Sequence, residues 1–137
     1  MAYLPLSTAN LPDPAIDPAQ GSSPEDYFVA VTYAGNGGSQ TVPTGLAPDL
    51  LWIKQRNGAD WHHLFDELRG HDVALYSNET AAEGAKGFNM SLNADSFSMN
   101  TSNTAVNGSS GTYVAWNWKA NGSGVSNTDG SITSTVS

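Results

Sequence analysis

The sequence predicts an all-β domain, an antiparallel β-sandwich entered through an extended, proline-rich N-terminal arm. Three observations carry that prediction. Gly, Ser, Asn and Thr supply 53 of the 137 residues. Such a mixture works against long helices, because glycine loses backbone entropy and Ser, Thr and Asn compete for backbone hydrogen bonds. The apolar residues come in short runs broken by Gly, Asn and Ser turns, at the spacing of a sandwich. Five of the seven prolines crowd into residues 1–26, where they forbid both helix and ladder. The length suits one domain with a real core.

Taken in order, the arm comes first. Its apolar residues Tyr3, Leu4, Leu6, Leu11 and Ile16 each return about 2 kcal/mol if buried. Ordering the segment costs on the order of 1 kcal/mol per residue, so the balance closes only against a large surface. The arm is therefore expected to pack on a neighbouring subunit or partner. The module behind it spans 27–137. "YFVAVTYAGNGGSQTV" reads as a β-hairpin with Tyr27, Val29, Val31 and Tyr33 on one face and Asn36-Gly37 at the turn. "PDLLWIKQR" (48–56) is apolar on both faces, as a central strand would be.

Further strands are expected at 72–76, 88–92, 95–100 and 112–119. In "DWHHLFDELRG" helical and alternating patterns overlap, and a strand ending near Asp66 is the preferred reading. "TAAEGAK" (80–86) has capping-box spacing between Thr80 and Glu83, so one helical turn is expected there. In "TYVAWNWKA", Val114, Trp116 and Trp118 share a face. Burying two tryptophans is worth roughly 4–6 kcal/mol, so this face is expected to point into the core.

Charge and composition exclude several functions. The net charge is −8 and the only cations are Lys54, Arg56, Arg69, Lys86 and Lys119, which argues against nucleic acid and anionic membranes as partners. With no cysteine, thiol catalysis, thiolate metal sites and disulfides are out. The opening "MAYLPLSTANLP" has neither the basic start nor the apolar run of a signal peptide. The five Asn-x-Ser/Thr sites, at Asn78, Asn89, Asn100, Asn107 and Asn121, are read as a by-product of composition.

Four stretches together carry a resemblance. "VTYAGNGGSQTVPTGLAPDLLWIKQRNG", "DWHHLFDELRG", "ALYSNETAAEG" and "YVAWNWKANGSGVSNTDGSITSTVS" resemble the repeat module of bacteriophage tail-fibre and other virion structural proteins. The marks stand at Tyr33–Gly37, Pro48–Lys54, Arg69–Gly70 and Tyr113–Lys119, and the likeness covers about 27–137. The resemblance implies a lectin-like jelly roll or SPRY-like sandwich on the virion surface. It also implies a homo-oligomer, a trimer being frequent among phage surface proteins, with other virion proteins and a host surface glycan as partners. Host attachment is the first function implied. A capsid decoration (cement or head-fibre) protein held by its arm is the alternative, and a glycan depolymerase a remote one.

No catalytic residue, cofactor or metal is expected. The chain lacks a Gly-x-Ser-x-Gly elbow, a phosphate loop and a His-Glu-x-x-His helix. The carboxylates Asp66, Glu67, Glu79 and Glu83 are read as solvated charge, and "NTDGS" (127–131) as a turn. For glycan binding, the candidates are Trp61, His62, His63, Arg56 and Tyr76, since aromatic faces stack on sugars while imidazole and guanidinium bond to hydroxyls. Adjacent histidines on a strand point to opposite faces, which argues against a shared metal.

Overall fold

A computed structural model describes residues 23–120 and the strand backbones at 125–127 and 134–136. The candidate arm residues Tyr3, Leu4, Leu6, Leu11 and Ile16 lie outside the described residues. The last residues assigned to the arm do not stay extended. Pro24–Asp26 form one 3-10 turn, closed where the Ser23 backbone N–H donates to Asp26 Oδ2 at 2.6 Å. Asp26 and Pro24 are what the sequence supplies for this turn: a short acceptor at its end and a fixed φ at its start.

Among the described residues eleven strands follow: β1 (Phe28–Ala34), β2 (Ser39–Pro43), β3 (Leu50–Gln55), β4 (His63–Asp66), β5 (Val73–Tyr76), β6 (Gly84–Ala85), β7 (Ser91–Leu92), β8 (Ser96–Asn100), β9 (Thr112–Trp118), β10 (Val125–Asn127) and β11 (Ser134–Val136). They form a six-stranded sheet in the order β1-β9-β3-β4-β5-β6 and a three-stranded sheet β2-β8-β7, with β10 and β11 paired apart. Every pairing is antiparallel. The molecule is an all-β antiparallel sandwich, as its composition predicts. The turn expected at 127–131 falls between β10 and β11, and its residues 128–131 lie outside the described ones.

The core lies between the two sheets. Leu51, Ile53, Phe65, Ala74, Tyr113 and Ala115 point inward from the larger sheet, and Val42, Phe97 and Met99 meet them from the smaller one. As predicted, β3 is central, flanked by β9 and β4, and the ambiguous "DWHHLFDELRG" yields a strand ending at Asp66.

Four expectations are corrected. First, β1 and β2 do not form a hairpin: β1 pairs with β9 over seven residues, while β2 pairs with β8 in the other sheet. Gly37 does adopt a positive φ of 73°, but it carries the chain from one sheet to the other. The buried Asn107 captures this crossing. Its Oδ1 accepts from the Asn36 N–H at 3.0 Å, and its Nδ2 donates to the carbonyls of Gly38 at 2.8 Å and Thr101 at 2.9 Å. A side chain thus takes the bonds that a hairpin partner would have taken.

Second, the tryptophan row of β9 faces outward. Tyr113, Ala115 and Asn117 are buried, while Val114, Trp116 and Trp118 are half-buried on the other face. The inward side needs what Tyr113 offers. Its ring stacks on Tyr33 at 5.0 Å, and its hydroxyl donates to the Thr104 carbonyl at 2.6 Å and accepts from the Gly108 N–H at 2.8 Å. Because side chains alternate, fixing Tyr113 inside puts both tryptophans outside.

Third, 80–86 makes no helical turn. Glu83 reaches Arg69 instead of capping Thr80, Glu79 takes the Thr80 N–H, and Gly84–Ala85 extend to pair with β5. Fourth, the strand expected at 88–92 shrinks to Ser91–Leu92. Gly87 and Asn89 have φ of 68° and 48°, so Phe88 and Met90 reach the core from an irregular segment.

Candidate functional site

A cleft of about 390 Å³ opens where four segments meet, lined by residues of the β3–β4 loop (Ala59, Asp60, Trp61), of β4 and β5 (His63, Tyr76), of the segment after β6 (Lys86, Phe88), and of the β8–β9 connection (Asn103, Ala105). Its wall is a relay of rings. Trp61 is 43% exposed and stands edge-on to Tyr76 at 5.2 Å. Tyr76 meets His63 at 5.1 Å, and His63 meets Phe88 at 5.3 Å. Such edge contacts hold each ring in one orientation. The Lys86 ammonium sits 5.7 Å from the Tyr76 ring centre, within cation–π range.

His63 is buried, and its Nδ1 lies 2.9 Å from the Trp61 carbonyl. A carbonyl only accepts, so Nδ1 carries the proton and Nε2 is left as an acceptor. Burial pushes the His63 pKa down; the bond to Trp61 and the charge of Asp60 oppose the shift, while Lys86 and His62 add to it. At neutral pH this is a neutral imidazole in an aromatic wall.

The five candidates divide. Trp61, His63 and Tyr76 line the cleft. His62 turns the other way, as strand alternation predicts, and its Nδ1 accepts from Trp52 Nε1 at 3.0 Å. Burial, with a smaller contribution from Lys54, lowers its pKa as well. Arg56 is exposed at the end of β3, where its backbone N–H donates to the Thr112 carbonyl at 2.7 Å, and it is not part of the cleft lining. Asp60, Lys86 and Asn103 belong to the cleft and were not singled out from the sequence. Lys86 had one usable mark, being one of only five cations. Asn103 had none among twelve asparagines.

The carboxylates named earlier have structural partners. Asp66 accepts from the Arg69 backbone N–H at 2.8 Å and from its Nε at 2.6 Å, and Arg69 also reaches Glu83 at 3.4 Å. Burial works against ionisation of Asp66, but the Arg69 bonds and charge outweigh it and hold the carboxyl below its usual range. With Gly70 at a φ of 99°, the Arg69–Gly70 pair shapes the β4–β5 turn. Glu67 pairs with His71. Among the described residues, no group of three metal-ligating side chains comes together.

A second surface lies on the outer face of the six-stranded sheet. Register places Ala30, Trp116, Trp52 and Leu64 in one row, continued by Leu75, and Phe28, Trp118 and Leu50 in the next. Trp52 and Trp116 meet edge to face at 5.4 Å, and Phe28 and Trp118 tilt together at 5.1 Å. Phe28, Trp52, Trp116 and Trp118 line a groove of about 300 Å³. A separate hollow of about 600 Å³, bordered by Leu50, Leu68, Asp66 and Lys119, shares Trp118 with it.

No curated protein and no solved structure matches the chain. A family model matches residues 23–137, beginning at the residue whose N–H closes the 3-10 turn. The sandwich, its cleft and its tryptophan face all fall inside that span, and the chain belongs to the family described as Domain of unknown function (DUF7483).

Proposed function

We propose that the chain is a bacteriophage virion structural protein of tail-fibre type, and that the cleft around Trp61 binds a host surface glycan. The observation that carries this reading is the half-exposed Trp61 ring, held edge-on by Tyr76 in a cleft with a polar rim. A flat apolar ring accepts the C–H face of a sugar. Asp60, Lys86, Asn103 and the Nε2 of His63 offer donors and acceptors for its hydroxyls. A volume of about 390 Å³ lies within the range of small-ligand clefts. The resemblance of four stretches to phage fibre modules supports the same reading.

Binding without cleavage fits the lining better than turnover does. Glycosidases of the usual kind place two carboxyl groups roughly 5–10 Å apart across the bond, and among the described residues Asp60 is the single carboxylate of this lining.

A glycan array followed by titration of the best ligand tests the proposal. Trp61→Ala should weaken binding about tenfold or more, a loss of roughly 1.4 kcal/mol, with little change in stability. If no glycan binds, or if Trp61→Ala binds as well as the parent, the cleft reading fails. Immunogold labelling of intact virions tests the location. Gold at the tail tip is expected, and gold spread over the head would replace attachment with capsid decoration.

A further inference from the structure

We infer that the open edge of β1 is an interface between two copies of this chain, in which the two β1 strands pair antiparallel and join their six-stranded sheets into one. The inference rests on main-chain geometry and stands apart from the glycan reading.

β1 ends the larger sheet and, among the described strands, pairs with β9 alone. The phase of that pairing is fixed at both ends. The Lys119 N–H donates to the Tyr27 carbonyl and the Gly35 N–H to the Gly111 carbonyl, each at 2.9 Å. In an antiparallel ladder, residues bonded to the neighbour alternate with residues whose N–H and C=O point the other way. Val29, Val31 and Tyr33 therefore bond to β9, and Phe28, Ala30, Thr32 and Ala34 turn their main chain to the open side. At Ala34 the carbonyl accepts from Gln40 Nε2 at 2.9 Å. The N–H and C=O of Phe28, Ala30 and Thr32 have no partner among the described residues.

Edges of this kind are ordinarily blunted by shortness, proline, charge or a bulge. The other edges of the two sheets are so protected: β6 and β7 have two residues each, and β2 ends in Pro43. β1 carries none of these devices. It runs for seven residues as "FVAVTYA", without charge or proline, and its register with β9 is unbroken. A bare edge of that length is a template for one more strand.

The strand that fits is a second β1. With Ala30 facing Ala30 across a two-fold axis, Phe28 faces Thr32, and all three residues exchange both main-chain bonds with the other copy. Ala34, whose carbonyl Gln40 already holds, falls outside this register. Each copy has a net charge of −8, yet β1 contributes nothing to it, so no like charges meet along the seam. The outer row Trp52, Trp116, Ala30 meets its copy alanine to alanine, with no ring in the way. On the inner side the half-buried Val29 and Val31 of each strand cover those of the other. β4 and β5, which carry His63 and Tyr76, lie toward the far side of the sheet, so both clefts stay open.

Sedimentation velocity and hydrogen exchange on the full chain test the inference. A dimer is expected, with the Ala30 and Thr32 amides protected in it. Ala30→Lys sets two ammonium groups against each other at the axis. It should weaken the dimer about tenfold or more and free those amides to exchange, with the melting temperature of the monomer little changed. The chain has no cysteine, so Ala30→Cys adds a single thiol. Across the axis its Cα lies about 5.5 Å from that of its copy, within disulfide reach. Under mild oxidation it should join two chains about tenfold faster or more than Thr41→Cys, placed at an exposed position on β2. A monomeric chain would overturn the inference, and protected Ala30 and Thr32 amides in that monomer would give the edge to another segment of the same chain. A trimer, equal cross-linking rates, or an Ala30→Lys variant that dimerises as tightly as the parent would overturn it as well.

Discussion

The two faces of the six-stranded sheet are both apolar, yet they hold different residues for different reasons. The inner face carries Leu51, Ile53, Phe65, Tyr113 and Ala115, all without measurable exposure, packed against Phe97 and Met99 from the facing sheet. The outer face carries three of the four tryptophans with Phe28 and Leu64, all exposed or half-buried. Size does not decide which side is in. The inner face takes even a small residue, Ala115, and an amide, Asn117, whose Nδ2 finds the carbonyls of Val29 and Ala115 at 3.2 Å. On the inner side the Tyr113 ring is fully buried against Tyr33 and its hydroxyl bonds to Thr104 and Gly108 of the β8–β9 connection.

That difference predicts unequal costs. Phe65→Ala removes a fully buried ring wedged edge-on against Phe88 at 5.6 Å, and should destabilise by about 3–5 kcal/mol. Trp116→Ala, though it deletes a larger side chain, removes one only half-buried against Trp52, and should cost about 1–2 kcal/mol. Urea denaturation of both variants measures the gap. Equal losses would mean that the outer face is as tightly packed as the core.

Much of this fold was legible in the sequence, and the two largest failures, the tryptophan face and the hairpin, share one physical source. Short alternating runs and their turn residues gave the positions of β1 to β5, β8 and β9, the centrality of β3 and the end of β4, because each depends on neighbours in the chain. Which face of an alternating strand is buried depends on a distant sheet. In "TYVAWNWKA" both phases are apolar enough to be inside, and one step in phase exchanges them. The hairpin failed likewise: Asn36-Gly37 does turn the chain, but Asn107, some seventy positions away, decides where the turned chain goes. At the site, Trp61 stood out by type and Tyr76 and His63 joined it by strand register. Asp60, Lys86 and Asn103 come from three separate connections, which no local pattern links.

The next test concerns Asn107. It is fully buried and ties together Asn36, Gly38 and Thr101, so Asn107→Ala leaves an N–H and two carbonyls without this partner. At about 1–3 kcal/mol for each buried group left unsatisfied, partly relieved by water, a loss of about 3 kcal/mol is expected, with hydrogen exchange speeding up first at residues 36–38. Asn107→Asp keeps the acceptor for Asn36 but loses both donations, and should be no better than Ala. If Asn107→Ala leaves stability within about 0.5 kcal/mol, the crossing between sheets is held by the backbone alone.

The smallest expected effect contrasts the two neighbouring histidines. Burial lowers the pKa of both, so the unfolded chain binds protons that the folded chain refuses. Stability contributed this way is fully present above the unfolded value of about 6.5 and is lost as pH falls from there through the folded values. His63, deep in the aromatic wall, should carry more of this loss than His62, which is wetter and sits on the outer face. Asp66 acts lower: Arg69 depresses its pKa, so its share is present above the carboxylate range and drains away only as pH falls through it. Thermal melts at successive pH values should therefore show a first decline just below pH 6.5. His63→Gln should flatten that decline and His62→Gln should alter it less. If His62→Gln removes the greater part instead, then the imidazole in the cleft wall is less shielded from water than its ring contacts imply, and the rigid platform beneath Trp61 loosens with it.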